Sequence, residues 1–250
     1  FSSPVQAAPA GDIVPAVPKL LAPLFVLSLV LINALAVTSM TNERDGKALD
    51  LLLVTDLTPK EIIFGKLGGV FYNTKEMILL PIALCFYVWH KGSLGTENLI
   101  YVVVGLLVMD FFVAMLGIHV GMIYSNSKSA IGVSVGTVVF LFVGVAVCMR
   151  MMIAFSGSFG MQLQPFLAFM FGGGVGLYVA LGLRNPSKAI GLASFGAPIA
   201  TFYAITSFLL GYSLAVFLVI GATYGFAAAA MLIPAIYEFD VATGRTTAEE

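Results

Sequence analysis

The sequence predicts an all-α protein, a polytopic transmembrane helical bundle of about seven spans with one short cytoplasmic amphipathic helix. Three observations favour this class. Hydrophobic residues fill 60% of the 250 positions and charged residues only 10%, whereas soluble domains carry roughly 25% charge. The mean hydropathy is +1.02. Apolar windows of about 20 residues, enough for a helix to cross about 30 Å of hydrocarbon, follow one another along the chain.

Seven windows are predicted to cross the bilayer. They cover residues 20–40, 77–89, 99–124, 130–149, 163–183, 190–210 and 213–237. The second window reaches spanning length only if its helix starts earlier, near Gly69 to Asn73, which would leave Lys75 and Glu76 near the membrane interface. Only a very short turn separates the last two windows.

The chain divides around these spans. Residues 1–19 are predicted to form an extracytoplasmic loop, 20–40 a transmembrane helix, 41–68 a cytoplasmic charged segment, 69–237 the remaining bundle and 238–250 a cytoplasmic tail. With this sidedness nine of the 12 Lys and Arg residues lie in the cytoplasm, as the positive-inside rule requires. We therefore expect a multi-pass protein of the cytoplasmic (inner) membrane. If the true N-terminus is cytoplasmic, a first span that runs inward should be preceded by another span, which we expect in an N-terminal part missing from this sequence.

The charged segment stands out in this apolar chain. Nine of its residues between 43 and 66 are charged, out of 12 Lys and Arg and 13 Asp and Glu in total. Leu49, Leu52 and Leu53 share one face at helical spacing, which predicts a short amphipathic helix at the membrane surface. An ordinary charged loop with an interfacial helix is the simpler interpretation of the spacing alone.

A second helix is predicted to begin directly after this one. Thr58 is a suitable N-cap, Pro59 suits the first helical position, and Glu61 completes a capping box. The segment therefore consists of a surface helix, a tight turn and a new helix that enters the bilayer.

The order of residues in this segment resembles the cytoplasmic loop of the ABC-2 type permeases, the membrane-spanning subunits of one large class of ABC transporters. The matching elements are Glu43-Arg44, Gly46, Leu49-Asp50-Leu51-Leu52, Thr55-Asp56-Leu57, Glu61-Ile62 and Gly65-Lys66. The match covers about 25 residues, and the remainder resembles the family only as a polytopic helical pattern.

The resemblance implies a function. In that family the loop forms a coupling helix that docks into a cytoplasmic nucleotide-binding ATPase subunit, and the permease is a homodimer or a heterodimer with a sister chain. The family consists largely of exporters. The implied ATPase-coupling residues are Glu43, Arg44, Gly46, Leu49, Asp50, Leu52, Leu53, Thr55, Leu57, Glu61, Gly65 and Lys66.

This chain is expected to bind no cofactor and to hydrolyse no ATP, so ATP belongs to the partner subunit. Gly65 and Lys66 do not form a phosphate-binding loop, because Lys60 stands where that motif needs Gly and Leu67 where it needs Ser or Thr. We therefore expect a transport subunit and not an enzyme. The nearly neutral charge of −1 argues against a nucleic-acid partner.

Two ionisable residues fall inside the third window. Asp110 and His119 are nine positions apart, which puts them on opposite faces of one helix and excludes a catalytic dyad on that helix. Asp110 is either hydrogen-bonded to a neighbouring helix or part of the transport route. His119 is expected to be a packing residue. Cys85 and Cys148 lie in apolar runs and indicate neither a disulfide nor a metal site.

Four Gly-x-x-x-Gly pairs predict places where helices approach closely. They start at Gly117, Gly132, Gly172 and Gly221. No internal repeat indicates a secondary transporter with inverted halves. Two alternatives to the ABC permease remain: a secondary transporter or channel without an ATPase, and a membrane scaffold or assembly protein.

Overall fold

The computed structural model describes residues 16–46, 57–155, 157–182, 187–209 and 212–237, which are helical and contain no β-strand. These ranges form eight helices: α1 (Ala16–Asp45), α2 (Pro59–Asn73), α3 (Lys75–His90), α4 (Thr96–Ile123), α5 (Ser127–Ala154), α6 (Phe159–Gly182), α7 (Lys188–Leu209) and α8 (Ser213–Tyr237). The predicted all-α class is confirmed for this part of the chain. The predicted surface helix at 49–54 lies outside it.

Six of these helices are long and apolar enough to cross a membrane, namely all except α2 and α3. The chain is therefore a multi-pass membrane protein. Six of the seven predicted windows coincide with these helices to within a few residues. The remaining window, 77–89, falls within the 16 residues of α3, which is too short by itself to cross about 30 Å of hydrocarbon.

Helix α1 continues five residues beyond the predicted end of the first span, to Asp45. Neither Gly nor Pro interrupts the chain between 41 and 45, so nothing stops the helix before Gly46. Glu43 and Arg44 therefore lie in the last turn of α1, which continues into the segment that was predicted to be cytoplasmic.

Helices α1 and α4 lie side by side and run in the same direction. A β-carbon added at Gly117 would lie 2.6 Å from Ala36 Cβ, and one added at Gly121 would lie 2.7 Å from Met40 Cβ. From the first contact to the second, the residue number rises by four in both helices, so α1 and α4 are parallel. This Gly-x-x-x-Gly pair therefore provides the close approach that was predicted.

The other three Gly-x-x-x-Gly pairs do not mediate a contact between helices of the described chain. A β-carbon added at any of their six glycines would meet no atom within 4 Å: Gly132, Gly136, Gly172, Gly176, Gly221 and Gly225. These glycines lie on faces that no described helix covers, so spacing alone predicted too many close contacts.

Helices α2 and α3 return the chain from the end of α1 to the start of α4. At one end, Lys66 of α2 forms an ion pair with Glu43 of α1. At the other end, Cys85 of α3 lies in an apolar cluster with Leu21 of α1 and Leu99 of α4. Together, α2 and α3 extend over the height that α1 and α4 share.

Thr74 separates α2 from α3. Its N–H and its hydroxyl group both donate to Val70 O, over 2.9 Å and 2.8 Å. The Met77 N–H then bonds Thr74 O at 2.9 Å. Backbone hydrogen bonds thus continue on both sides of Thr74, and α3 follows α2 without a loop.

The break lies near mid-height. Just before it, the ring of Phe71 stacks on Phe111, close to the middle of α4, with the ring centroids 6.5 Å apart. Lys75 and Glu76 follow the break and are therefore far from either end of the bundle. The expectation that they lie near the interface assumed a helix start close to Gly69, whereas α2 begins at Pro59.

Helices α5 and α6 each contain one π-helical turn, Phe140–Gly144 and Ala168–Gly172. The rings of Phe140 and Phe169 stack with centroids 6.3 Å apart. Gly173 leaves the space that the Phe140 ring fills, because a β-carbon there would overlap the ring. The two π turns therefore face each other across the α5–α6 contact.

Helix α8 packs along α4. The buried ring of Tyr224 meets the ring of Phe112 edge-on at 4.7 Å between centroids. The hydroxyl groups of Tyr224 and Thr201 of α7 share a hydrogen bond, which satisfies two buried polar groups.

Candidate functional site

The predicted coupling residues that the structure describes gather where α1 ends and α2 begins. The ends of α4 and α5 meet there too, and this region is called the junction below. It consists of two groups of contacts, one around Arg44 and one around Glu43 and Lys66. A groove lies beside the second group.

Arg44 connects the end of α1 to the end of α4. Its Nη1 donates to Gly121 O at 2.9 Å and to Tyr124 O, and its Nη2 donates to Ser127 Oγ at 3.2 Å. Both carbonyl groups lie at the C-terminal end of α4, where the helix dipole is negative. Asp45 completes the group, because it accepts from Ser127 Oγ and its Oδ1 lies 3.8 Å from Arg44 Nε.

Glu43 and Lys66 form an ion pair between α1 and α2. Lys66 Nζ also donates to Ser39 O at 3.5 Å. The Lys66 side chain is 13% exposed and that of Glu43 is 32% exposed, so water and salt screen this pair less than a fully exposed one. The ion pair holds α2 against the last turns of α1.

The predicted capping box at the start of α2 is confirmed. Glu61 Oε2 accepts hydrogen bonds from the N–H and the hydroxyl group of Thr58, both at 2.8 Å. The Glu61 N–H donates back to Thr58 Oγ1 at 3.3 Å, and Pro59 occupies the first turn. The hydrogen bond from the Thr58 N–H is the main reason that the pKa of Glu61 lies below its ordinary value.

A groove of about 430 Å³ lies between α1 and α2, within the range of about 300–1,000 Å³ typical of small-molecule sites. Five of the predicted coupling residues line it: Glu43, Leu57, Glu61, Gly65 and Lys66. Among the described residues, Glu43 Oε2 is buried without a hydrogen-bond partner. The groove is therefore bordered by a partly buried acidic side chain that is paired with Lys66.

Other predicted coupling residues do not join this groove. Arg44 points to α4 and α5 instead. Gly46 follows the last residue of α1, and its N–H donates to Asn42 O at 2.9 Å. A β-carbon at Gly46 would lie 3.1 Å from the same oxygen. The remaining predicted residues lie outside the described part of the chain: Leu49, Asp50, Leu52, Leu53 and Thr55.

Several participants at the junction were not predicted, among them Ser39, Ser127 and Asn126. Ser39 and Ser127 contact Lys66 and Arg44 across 27 and 83 positions of sequence, and no local pattern signals such distant pairs. Asn126 had a recognisable signal, because its side chain caps α5 by accepting from the N–H groups of Lys128 and Ser129. Asn before a new apolar helix is a typical N-cap.

Asp110 is not part of the junction. It lies on α4, 11 residues before Gly121, and its side chain is 1% exposed. Neither carboxylate oxygen has a hydrogen-bond partner among the described residues, so the first alternative, a bond to a neighbouring helix, is not observed there. His119 lies 3.3 Å (Nε2) from Leu181 O of α6, as expected of a packing residue with a satisfied ring nitrogen.

The described residues contain no group of three or more His, Cys, Asp or Glu side chains that could hold a metal ion. Comparisons with protein-family models, with curated proteins and with solved structures return no match.

Proposed function

We propose that the chain is the membrane-spanning subunit of an ABC transporter of the ABC-2 type. In this proposal it forms a translocation pathway for export, and a separate cytoplasmic ATPase subunit drives it. The observation that carries the proposal is the junction. Five of the residues that resemble the family's coupling loop line a single groove there, immediately beside the charged contacts of Arg44.

The proposal includes a seventh crossing by α2 and α3 together. Because α1 and α4 are parallel, the chain must return across the bundle between them. Among the described elements between them, α2 and α3 are the helices available for that return, and their contacts run from Glu43 at one end to Leu21 and Leu99 at the other. A break within a crossing helix is tolerable because Thr74 keeps the local backbone groups bonded.

Positive charge supports a cytoplasmic junction. Arg44 and Lys66 lie in it, and Lys128 is on the first turn of α5 beside Ser127. The Tyr124 hydroxyl group donates to Ala180 O at 2.9 Å, so α6 also ends on this side. Lys and Arg in short cytoplasmic loops are the pattern of the positive-inside rule.

The contacts supply a route for mechanical work. An ATPase that moved residues between α1 and α2 would pull directly on the last turn of α1. Arg44 would transmit this displacement to α4 and α5, and the Glu43–Lys66 pair would transmit it to α2. Partly buried charged hydrogen bonds are strong enough to keep such elements in register.

Co-purification of the full-length protein from its native membrane tests the proposal. We expect an ATPase subunit to be recovered with the wild type, and Leu57→Asp to reduce its recovery at least tenfold. Leu57 is 46% exposed at the groove, whereas Phe159, 77% exposed at the opposite end, provides the control Phe159→Asp. Absence of an ATPase from the wild-type sample, or equal recovery with both variants, would refute the proposal.

A carrier or channel without an ATPase is the second candidate, and Asp110 favours it. An ionisable residue at membrane depth is a candidate for an ion or proton pathway, and Asp110 is buried without a partner among the described residues. This candidate requires transport by reconstituted protein without ATP, and loss of that transport in Asp110→Asn. ATP-dependent transport would favour the first candidate.

A further inference from the structure

The outward surface of the α2–α3 pair is polar where the bundle is deepest in the membrane. Tyr72, Asn73, Lys75 and Glu76 follow one another there, and all four are exposed. The exposed fraction of Tyr72 is 70%. The surface is called the mid-depth face below, and it comprises these four residues together with the exposed Gly69 of α2.

The depth of this face follows from the contacts of the two helices. Lys75 lies nine positions after Lys66, which is at the junction, and ten positions before Cys85, which is at the level of Leu21. At 1.5 Å per residue, both ends are about 14 Å away. Glu76 is therefore near the middle of about 30 Å of hydrocarbon, where its carboxylate is too deep to reach the head groups.

Nothing in the described part of the chain neutralises these charges. The Lys75 ammonium lies over the Tyr72 ring, 4.5 Å from its centroid. No described acidic group pairs with Lys75 and no described basic group pairs with Glu76. Charged side chains at membrane depth face other protein or water, because lipid chains cannot solvate them.

The same face is flat enough for another helix to approach. A β-carbon added at Gly65, Gly68 or Gly69 would meet no atom within 4 Å. Gly65, Gly69, Tyr72 and Glu76 are spaced by four, three and four positions, so they form one stripe along the pair. Small residues allow close backbone contact between helices in membranes.

We propose that the mid-depth face binds the same face of a second copy of this chain, with Lys75 of each copy paired with Glu76 of the other. A two-fold axis along the membrane normal brings residues of equal depth together. Lys75 and Glu76 are adjacent and opposite in charge, so the face is complementary to itself. The proposal rests on the seventh crossing proposed above and not on the ATPase.

Disulfide cross-linking in native membranes tests this pairing. Gly69→Cys places a thiol on the face, and Gly132→Cys places one on α5 with the same free space around it. Both native cysteines, Cys85 and Cys148, are buried. We expect Gly69→Cys to give covalent dimers at least tenfold more efficiently than Gly132→Cys.

Charge exchange gives the second test, in the Gly69→Cys background. Lys75→Glu and Glu76→Lys should each reduce the dimer at least tenfold, because like charges then face each other. The double variant should restore it. Equal cross-linking by all variants, cross-linking at Gly132 but not at Gly69, or a product with another protein would overturn the proposal. Each of these results is compatible with recovery of an ATPase, so this proposal can fail while the proposed function stands.

Discussion

Arg44 Nη1 lies 2.9 Å from Gly121 O, although the two residues are 77 positions apart. Gly121 is also the residue whose missing β-carbon leaves room for Met40 of α1. The final turns of α1 and α4 are therefore joined twice, by main-chain proximity and by charged hydrogen bonds.

Replacing the guanidinium should weaken the junction. We expect Arg44→Gln to reduce the free energy of unfolding by about 1.5–3 kcal/mol, because hydrogen bonds from a charged donor to the ends of α4 and α5 are lost. Arg44→Lys should recover only part of the loss, since Lys lacks the planar fork. Denaturation in detergent micelles measures both. Lys128→Gln, at an exposed position, is the control, and an equal effect there would contradict the assignment.

The α1–α4 contact should not tolerate a methyl group. Gly117→Ala is expected to destabilise the protein by about 1–3 kcal/mol, because the new β-carbon would lie 2.6 Å from Ala36 Cβ and 2.8 Å from Asn33 O. Gly132→Ala, with no atom within 4 Å, should be neutral or slightly stabilising, since Ala favours helix. Thermal unfolding distinguishes the two variants. A neutral Gly117→Ala would mean that the helices do not approach this closely.

Glu43 and Lys66 should be energetically coupled. In a double-mutant cycle with Glu43→Gln and Lys66→Gln, we expect an interaction energy of about 0.5–3 kcal/mol, because both side chains are partly buried. The exchange of the two charges should recover more stability than either single reversal. Chemical unfolding of the four proteins measures the cycle, and additive effects would show that the pair contributes nothing.

The capping box of α2 should make stability depend on pH. The pKa of Glu61 lies below its ordinary value of 4.5 because of the hydrogen bonds from Thr58. The stabilisation is therefore complete above the pKa of the unfolded state and disappears as the pH falls through the lower pKa of the folded state. Glu61→Gln should flatten this acid limb. Unfolding midpoints measured from pH 7 down to acid pH for the wild type, Glu61→Gln and Thr58→Ala test this, and identical pH profiles would contradict it.

Buried polar residues with and without partners should respond differently. Asp110 has no hydrogen-bond partner among the described residues, so Asp110→Asn should leave stability unchanged or raise it, because a charge no longer needs to be buried. Asn33 donates to Val113 O at 2.8 Å and accepts from Ser134 Oγ at 2.9 Å. Asn33→Ala should therefore cost about 1–3 kcal/mol. Thermal unfolding of both variants tests this difference, and destabilisation by Asp110→Asn would indicate that the Asp110 carboxyl group has a hydrogen-bond partner.

Local signals predicted the fold well. Apolar windows located six helices, and Thr58, Pro59 and Glu61 located the start of α2, because length and capping depend on residues that are close in sequence. The end of α1 was predicted too early, at residue 40, because hydropathy falls where polar residues begin, whereas the helix continues to Asp45.

Contacts between distant elements were less predictable. The sequence placed Glu43, Gly65 and Lys66 in one segment, but it did not predict that they line the same groove. It also gave no indication that the Arg44 side chain contacts α4. Four equal Gly-x-x-x-Gly spacings gave one close contact. Spacing identifies a flat helix face, but which faces meet depends on the arrangement of the whole bundle.

The parallel contact at Gly117 and Gly121 has a mechanical consequence. Because α4 has no side chain at these two points, Ala36 and Met40 of α1 pack directly on its main chain, and we expect the two helices to move as one rigid pair. Helices α5 and α6 meet instead through stacked rings at two π turns, where the regular helical hydrogen bonding is interrupted. We therefore expect deformation of the bundle to concentrate on the α5–α6 side, away from the α1–α4 pair.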